Sequence, residues 1–323
     1  MEEVFNALTQ YIKNNNKILI MTHKNPDFDG MGAALVLQQI IFSFNKECYI
    51  CQNSHEKNRA LIKAYNYLTK KNINYKKINK TETLNYVDEN TLLIILDVQI
   101  KSMLEEPKVF DKTKKVIVLD HHIKSQNSIR QTILTYINSN LSSVVEFMSS
   151  YVKYLNKRID PLFATFMQVG LEIDTNNYKL KTTEQTFETA AFLTKIGADS
   201  IIKQELLKEN KKEYLKKQKV IENSFMINKN MAMCLTDDKI YEQKDLASIA
   251  EALLQFENVE ASFAIGKIAN NEIGISARSI GTINVEYYMA KLGGGGHLNE
   301  AATQLKNVTL EEAKKNVIKV IGG

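Results

Sequence analysis

The feature that most constrains the fold is a series of short apolar runs that alternate with helical segments over the first 120 residues. The runs KILIMT, ECYIC, TLLIILD and KKVIVLD consist mainly of strand-forming residues. Between them lie stretches with the spacing of amphipathic helices. Short apolar strands that alternate with helices are typical of a parallel sheet with helices on both faces. The sequence therefore predicts an α/β fold for this part of the chain.

A second, smaller α/β unit is predicted towards the carboxyl terminus. From about residue 142 the pattern is helical and closes on a polar, lysine-rich helix. Beyond it, MAMCLT, VEASFAIGKIA and EIGISARS indicate strands, NVEYYMAKL indicates a helix, and LGGGGHLNEAATQ indicates a glycine loop before a last strand and helix. We predict a parallel-sheet domain over 1–187, a helical linker over 188–224 and a mixed-sheet domain over 225–323.

Composition excludes several classes of protein. The 323 residues are 44% hydrophobic with a formal net charge of +5, a mild excess that suits an anionic substrate but not a surface that coats long nucleic acid. Cys48 and Cys51 form CxxC, but no second Cys or His pair completes a zinc site. No apolar run approaches the ~20 residues of a membrane helix and the start does not resemble a signal peptide, so we expect a cytoplasmic protein.

Acidic and histidine residues follow the predicted strands where those strands end. In open α/β sheets, ligands gather at the carboxyl ends of strands. So many carboxylates in one place would repel one another, and a pair of divalent cations would remove that repulsion. Nitrogen and oxygen donors suit manganese, iron or magnesium better than a thiolate-seeking metal. The residues are His23, Asp27, Asp29, Asp97, Asp120, His121, His122 and, at the end of a helical stretch, Asp174.

Each residue also has a plain structural interpretation. A single aspartate at a strand end usually caps a helix, and a buried histidine is usually a satisfied core residue. Clustering favours a functional site, because four of the five histidines fall at strand ends or in the glycine loop. The fifth, His55, has the character of a surface residue.

The motifs HKNPDFDG, LDVQ, LDHH and LEIDTNN resemble those of the DHH phosphoesterase superfamily, and GISARS with LGGGGHLNEAATQ resembles its DHHA1 partner domain. Within the superfamily the chain is most similar to the catalytic portion of GdpP-type cyclic-di-AMP phosphodiesterases. The resemblance implies hydrolysis of cyclic di-AMP to pApA by a hydroxide that bridges two Mn²⁺ ions, with iron or cobalt as alternatives.

The same resemblance implies a ligand set. It places one metal on His23, Asp27 and Asp97, and the second on Asp29, His121 and Asp174, with Asp97 bridging both. Asp120 is better suited to orient the ring of His121 or His122 than to bind metal. His122 is expected to contact a phosphate oxygen or the leaving group, and its alternative is packing under the strand end.

Substrate contacts are expected mainly in the second domain. A P-loop is excluded because the glycines are followed by His297 and not by GKS or GKT. The resemblance implies that the loop and the ISARS segment hold the nucleotide and the non-scissile phosphate, whereas the alternative for the loop is a tight turn. Ser142 and Ser143 either cap a helix or bind substrate at its N-terminus. The substrate-binding candidates are Ser276, Arg278, Gly294, Gly295, Gly296, His297, Ser142 and Ser143.

Two departures from the GdpP type affect these expectations. Gln99 and Ile100 stand where relatives usually have a histidine and a basic residue after the bridging aspartate. The relatives also commonly carry membrane helices, a PAS domain and a degenerate GGDEF domain, so a longer parent could be membrane-tethered. Alternative functions are hydrolysis of pApA, short oligoribonucleotides or phosphoadenosine phosphate, or a non-catalytic nucleotide sensor. The expected partner is a cyclic or short linear dinucleotide, and a homodimer is compatible with the sequence.

Overall fold

The computed structural model describes residues 1–52 and 58–322, so His55 lies outside the described residues. The chain divides into two compact units, Met1–Lys208 and Glu209–Gly323. Among the described residues, no helix combines the length and apolar character needed to cross a bilayer. Each unit is built around its own sheet and its own buried core.

The first unit contains a parallel sheet with the strand order β3-β2-β1-β4-β5-β6. Each pairing in this sheet is parallel, which confirms the predicted fold class. Among the central strands, β4 is buried throughout and β5 is buried except at Lys115, as expected for a sheet covered on both faces. The strands are β1 (Lys17–Met21), β2 (Glu47–Cys51), β3 (Lys77–Ile78), β4 (Leu92–Leu96), β5 (Lys115–Asp120) and β6 (Leu134–Ile137).

Alternate residues along the central strands face two separate cores. Ile18 and Ile20 belong to a large cluster that includes helix residues Leu8 and Phe147. Leu19 and its alternating neighbours belong to a smaller cluster on the other face. The helices of this unit are α1 (Glu2–Asn14), α2 (Phe28–Ser43), α3 (Arg59–Lys70), α4 (Lys80–Tyr86), α5 (Val144–Leu155), α6 (Pro161–Asp174), α7 (Glu184–Lys195) and α8 (Ser200–Leu207).

Helices α2 and α6 approach closely because glycines stand at their contact. A Cβ added to Gly32 would lie 3.0 Å from the backbone nitrogen of Met167. A Cβ added to Gly170 would lie 2.7 Å from the backbone nitrogen of Asp29. Because both contacts are with backbone atoms, a side chain at either position would push the helices apart. This packing brings the end of α6 to the start of α2.

The second unit contains a mixed sheet with the strand order β11-β12-β10-β9-β8-β7. Only the pairing of β8 with β9 is parallel among those described, which confirms the predicted mixed sheet. The strands are β7 (Phe225–Met226), β8 (Met231–Leu235), β9 (Ala261–Ala269), β10 (Glu272–Ser279), β11 (Gly295–His297) and β12 (Glu300–Lys306). The helices are α9 (Lys211–Glu222), α10 (Gln243–Leu253), α11 (Val285–Lys291) and α12 (Leu310–Gly322).

The predicted glycine loop is partly strand. Gly295, Gly296 and His297 form β11 and pair with β12 in a tight hairpin. Glycine makes the close pairing possible: a Cβ on Gly294 would lie 2.2 Å from the carbonyl oxygen of Ala302. Gly296 has a φ of +152°, which side chains rarely adopt. Glycine-rich composition therefore indicates here a hairpin with a crowded backbone and not an irregular loop.

The segment predicted as a linker is shared between the two units. Helices α7 and α8 pack against α6 in the first unit, and α9 packs against α10 in the second. A hydrogen bond from Gln168 to Thr194 ties α7 to α6. The lysine-rich α9 is mainly exposed but buries Val220 and Ile221. The polar residues of α9 therefore form its exposed face, while its other face packs against the rest of the second unit.

Candidate metal centre

Three stretches of the first unit bring histidine and aspartate side chains together at the carboxyl ends of β1, β4 and β5. His23 follows β1, Asp97 follows β4, and His121 follows β5. The starting turn of α2 and the last residue of α6 complete the cluster. Three groups have donor atoms that all lie within 4.8 Å of one another. Two of them have no residue in common, with His23, Asp27 and Asp97 in one and Asp29, His121 and Asp174 in the other. The third, Asp97, His121 and His122, overlaps both.

Asp97 faces both groups. Its Oδ2 lies 3.5 Å from Nε2 of His23, and its Oδ1 lies 3.3 Å from Nε2 of His121. The residue has a φ of +61°, an uncommon backbone conformation for a non-glycine residue. Gly30 leaves the room that this carboxylate needs, since a Cβ there would lie 3.2 Å from Oδ2 of Asp97. The backbone thus turns one carboxylate towards two separate sets of donors.

Asp27 caps helix α2 and also belongs to the cluster. Its Oδ1 accepts hydrogen bonds from the backbone nitrogens of Asp29, at 3.0 Å, and Gly30, at 3.2 Å. Its Oδ2 lies 3.7 Å from Nε2 of His23. The capping and functional interpretations of this residue are therefore both compatible with the structure.

Asp29 is held at the N-terminus of helix α5. Its carboxylate accepts hydrogen bonds from the backbone nitrogens of Val144, at 2.9 Å, and Val145, at 3.0 Å. It also accepts a hydrogen bond from the hydroxyl of Ser143, which caps the same helix. The partial positive charge of a helix N-terminus stabilises a carboxylate in this position. Its Oδ2 still lies 3.4 Å from Nε2 of His121, so one oxygen faces the cluster.

Ser142 and Ser143 are both buried within the first unit. The hydroxyl of Ser142 donates to Glu146 and accepts from Thr186. The hydroxyl of Ser143 donates to Asp29. Ser143 also caps α5, since its hydroxyl accepts from the backbone nitrogen of Val145, whereas the hydroxyl contacts of Ser142 are with side chains. A substrate contact by either hydroxyl stays a prediction.

Asp174 reaches the cluster because α6 packs so closely on α2. Its Oδ2 lies 3.5 Å from Nε2 of His121. The glycine that permits the packing, Gly170, was not singled out from the sequence. An isolated glycine in a strongly apolar helical segment was the available signal for a close helix contact.

Asp120 orients His122 and not His121. Its Oδ1 lies 2.7 Å from Nδ1 of His122 and also accepts from the backbone nitrogens of both histidines. The side chain of His122 is 52% exposed, which disagrees with packing under the strand end. Gln99, a residue given no role from the sequence, donates to the other oxygen of Asp120 at 2.7 Å.

Burial and mutual charge shift the pKa of most groups in the cluster. Burial disfavours the charged form of His23, but Asp27 and Asp97 outweigh it and raise the pKa of His23 to about 11. In the same way, burial opposes and Asp97 favours the charged form of His121, whose pKa rises to about 9.

The pKa values of the carboxylates are shifted in both directions. Burial, followed by the charge of Asp97, raises the pKa of Asp29 to about 6. Burial, followed by the charge of Asp29, raises the pKa of Asp174 well above its usual range. Burial also opposes ionisation of Asp97, but the facing imidazoles of His121 and His23 outweigh it and lower its pKa. Excess negative charge is therefore balanced partly by protons.

The donor set fits divalent cations. Oδ1 of Asp97 is buried and has no hydrogen-bond partner among the described residues, and an unpaired buried carboxylate oxygen is costly unless a cation or donor meets it. The cluster offers carboxylate oxygens and imidazole nitrogens without a thiolate. Manganese, iron and magnesium suit such donors.

The candidate residues of the second unit have more varied environments. Ser276 is buried, and its hydroxyl accepts a hydrogen bond from Gln243 on α10, so its direct contact with substrate stays a prediction. Arg278 is half-buried and donates to the carbonyl oxygen of Ala277. Gly295, Gly296 and His297 are exposed, while Gly294 is half-buried.

Comparisons with known proteins agree with this architecture. Residues 17–171 match the family model described as the DHH family N-terminal domain, and residues 226–323 match the DHHA1 domain model. The chain is 33% identical to the cyclic-di-AMP phosphodiesterase GdpP of Geobacillus thermodenitrificans, over 98% of this chain and 49% of that protein. The chain thus spans about half the length of this relative.

Two further comparisons cover nearly the full length of both partners. The chain is 23% identical to the bifunctional oligoribonuclease and PAP phosphatase NrnA of Mycoplasma pneumoniae, over 96% of this chain and 92% of that protein. A crystal structure of an exopolyphosphatase-related protein from Bacteroides fragilis matches with a TM-score of 0.83 at 18% identity, over 100% of this chain and 96% of the other. The chain thus contains a DHH family N-terminal domain, and a DHHA1 domain follows it.

Proposed function

We propose that this chain is a phosphodiesterase that hydrolyses cyclic di-AMP to pApA with two divalent cations. The observation that carries the proposal is the position of Asp97, whose two carboxylate oxygens face separate groups of donors. Sequence similarity to GdpP over nearly the whole chain supports the substrate. Because that relative is about twice as long, its activity is extended to this chain only as part of the proposal.

The residues that would hold the cations are those of the two groups. His23, Asp27 and Asp97 would bind one cation, and Asp29, His121 and Asp174 would bind the other together with Asp97. Bound in this way, a pair of cations would supply an activated water and positive charge for the phosphoryl oxygens. Mn²⁺ is the proposed metal, and iron or cobalt are alternatives because the donor set alone does not distinguish them.

The protein's own contribution to the chemistry is to hold His122 in place. Asp120 accepts a hydrogen bond from Nδ1–H of His122, which fixes the ring and leaves Nε2 as the atom that can meet substrate. In its protonated form, His122 would donate a hydrogen bond or a proton from Nε2 to the leaving oxygen. The exposure of this ring supports a role in contact with a ligand.

The second unit would bind the nucleotide and the non-scissile phosphate. Arg278 and His297 can supply positive charge or donors, and the glycine backbone can bring N–H groups close to an anion. These roles follow from the resemblance of the GISARS and GGGGH segments to the DHHA1 domain. The predicted homodimer and cytoplasmic location stay predictions.

Hydrolysis of a linear substrate is the second candidate. The match to NrnA over nearly its whole length favours short oligoribonucleotides or phosphoadenosine phosphate. The same cluster of donors could serve either substrate, because in both reactions an activated water attacks a phosphorus atom. The preference for a base, and for a cyclic over a linear substrate, would then depend on the second unit.

The proposal is tested by turnover of purified protein with added Mn²⁺ on equal concentrations of cyclic di-AMP, cyclic di-GMP, pApA, phosphoadenosine phosphate and a short oligoribonucleotide. We expect the highest kcat/KM on cyclic di-AMP, with pApA as the product. A higher value on a linear substrate would replace the proposed substrate with the alternative. Nucleotide binding without turnover of any of the five would support a sensor.

A further inference from the structure

We infer that Gln99 is a positioning residue, which holds Asp120 and through it the ring of His122. The inference rests on the proposed function, since it assigns Gln99 a part in presenting His122 to the substrate. Gln99 is 3% exposed and lies just beyond the end of β4, two residues after Asp97. It therefore acts from inside the protein and does not itself meet the substrate.

The amide nitrogen of Gln99 donates towards the loop that carries His122. It lies 2.7 Å from Oδ2 of Asp120 and 3.2 Å from the carbonyl oxygen of Ile123. The carbonyl oxygen of His122 lies further away, at 3.4 Å. Oδ2 of Asp120 is thus held by Gln99, while its Oδ1 remains for Nδ1 of His122.

The amide oxygen of Gln99 accepts from the same loop further along. Its partners are the backbone nitrogen of Ser125, at 2.9 Å, and the hydroxyl of Ser128. The backbone oxygen of Gln99 accepts from the backbone nitrogen of Ile129 at 2.8 Å. The side chain and the backbone oxygen of Gln99 therefore together fasten the beginning and the end of the loop 121–129 near the carboxyl end of β4.

Only a side chain with both a donor and an acceptor can make these contacts. Glutamate at this position would place a carboxylate against Asp120, and an apolar side chain would leave Oδ2 of Asp120 buried without its donor. A histidine has one ring nitrogen to donate and one to accept, so it could keep the contact with Asp120 and part of the anchoring of the loop. The glutamine that departs from the usual family pattern thus has a defined structural role.

Gln99→Met tests the inference because methionine has a similar length without polar atoms. We expect kcat on cyclic di-AMP to fall at least tenfold, with KM and Mn²⁺ affinity changed less than threefold. Ser128→Ala is the matched control, since it removes one contact of the loop without affecting Asp120, and it should lower kcat less than threefold. Gln99→His should retain more activity than Gln99→Met.

A spectroscopic measurement separates this inference from the proposed function. The Nδ1–H proton of His122 is recorded by NMR in the ¹⁵N-histidine-labelled, Mg²⁺-loaded 323-residue chain, and a His122→Asn sample identifies the signal. A hydrogen bond to Asp120 protects this proton from exchange, so the signal should persist in the parent and in Ser128→Ala but be lost in Gln99→Met. If the parent cleaves none of the substrates, the proposed function fails and this signal alone decides the role of Gln99.

The inference is overturned if folded Gln99→Met keeps kcat within twofold of the parent. It is also overturned if Gln99→Met and Ser128→Ala lower kcat equally, because Gln99 would then serve only to anchor the loop. Persistence of the His122 signal in Gln99→Met has the same consequence. Should Gln99→Met fail to fold, the same readouts are taken on Gln99→His, which must keep the His122 signal for the inference to stand.

Discussion

The metal cluster of the first unit and the glycine hairpin of the second differ in how their functional groups are held. Asp29 and Asp97 are buried, and each is fixed by contacts with other elements: a helix N-terminus for Asp29 and the facing histidines for Asp97. In the hairpin, Gly295, Gly296 and His297 are exposed, and backbone pairing with β12 holds them in place.

This difference indicates that the two regions have different roles. Binding cations in a defined arrangement requires side chains that packing has already placed, because small displacements weaken the site. Backbone N–H groups on an exposed hairpin can bind a flexible anion without side chains that packing holds in place. Changes in the first unit should therefore affect metal and rate, whereas changes in the hairpin should affect substrate affinity.

The largest effect is expected for Asp97→Asn. Asparagine tolerates the positive φ at this position, so the backbone should be preserved. Loss of the charge that both donor groups share should lower kcat by about a thousandfold or more. Steady-state assays with Mn²⁺ measure the change, with Asp111→Asn, at an exposed aspartate, as the control. Activity within tenfold of the parent would break the distinction between the two regions.

The affinity for Mn²⁺ should rise with pH. Raised pKa values leave His23 and His121 holding protons at neutral pH in the metal-free protein, and a bound cation must displace them. For each proton released, affinity should increase about tenfold per pH unit. Calorimetry in two buffers with different ionisation enthalpies counts these protons. An affinity that does not change between pH 6 and pH 8 would contradict the charge balance described for the cluster.

Gly170→Ala should damage the metal cluster from a distance. Its new Cβ would meet the backbone of Asp29 and force α6 away from α2. We expect a loss of about 1 to 3 kcal/mol in the free energy of unfolding, with weaker Mn²⁺ binding. Denaturant unfolding and metal titration measure the two effects. Gly32→Ala, at the same helix contact but with wider spacing, should cause a smaller change, and the reverse order would contradict the packing argument.

The smallest effects are expected in the hairpin. Gly294→Ala would clash with the backbone of Ala302, whereas no described atom lies within 4 Å of a Cβ on Gly295. Gly294→Ala should therefore raise KM severalfold and Gly295→Ala should raise it less, with Mn²⁺ affinity unchanged in both. Kinetics and metal titration on the pair sharpen the comparison. Loss of Mn²⁺ binding in Gly294→Ala would contradict the separation of metal binding in the first unit from substrate binding in the second.

Most strands were predictable because local composition determines them, but the short strands β3, β6 and β7 were not predicted. EIGISARS coincides with β10, and each apolar run of the first unit lies within one or two residues of an observed strand. The hairpin strand β11 was missed because glycine carries no side-chain pattern that indicates pairing. The limits of helices and strands can be predicted from residues that are neighbours in the sequence. Tight contacts between backbones cannot, because they depend on how separate elements pack.

The candidate cluster was predictable as a set of residues, since acidic and histidine side chains mark the strand ends. Its supports were not, because they depend on contacts between distant segments. Gly170 contacts Asp29 across 141 positions, and Ser143 contacts it across 114. The choice between His121 and His122 as the partner of Asp120 likewise required the geometry of the loop.

The most direct test of the account is the number of Mn²⁺ ions that one chain binds. Titration of the metal-free protein should give two ions per chain, because the oxygens of Asp97 face two sets of donors, one through His23 and the other through His121. Asp29→Asn should keep the ion held by His23 and lose the other, while Asp97→Asn should weaken both. A single ion per chain, or two ions that persist unchanged in Asp97→Asn, would contradict the shared carboxylate on which the account depends.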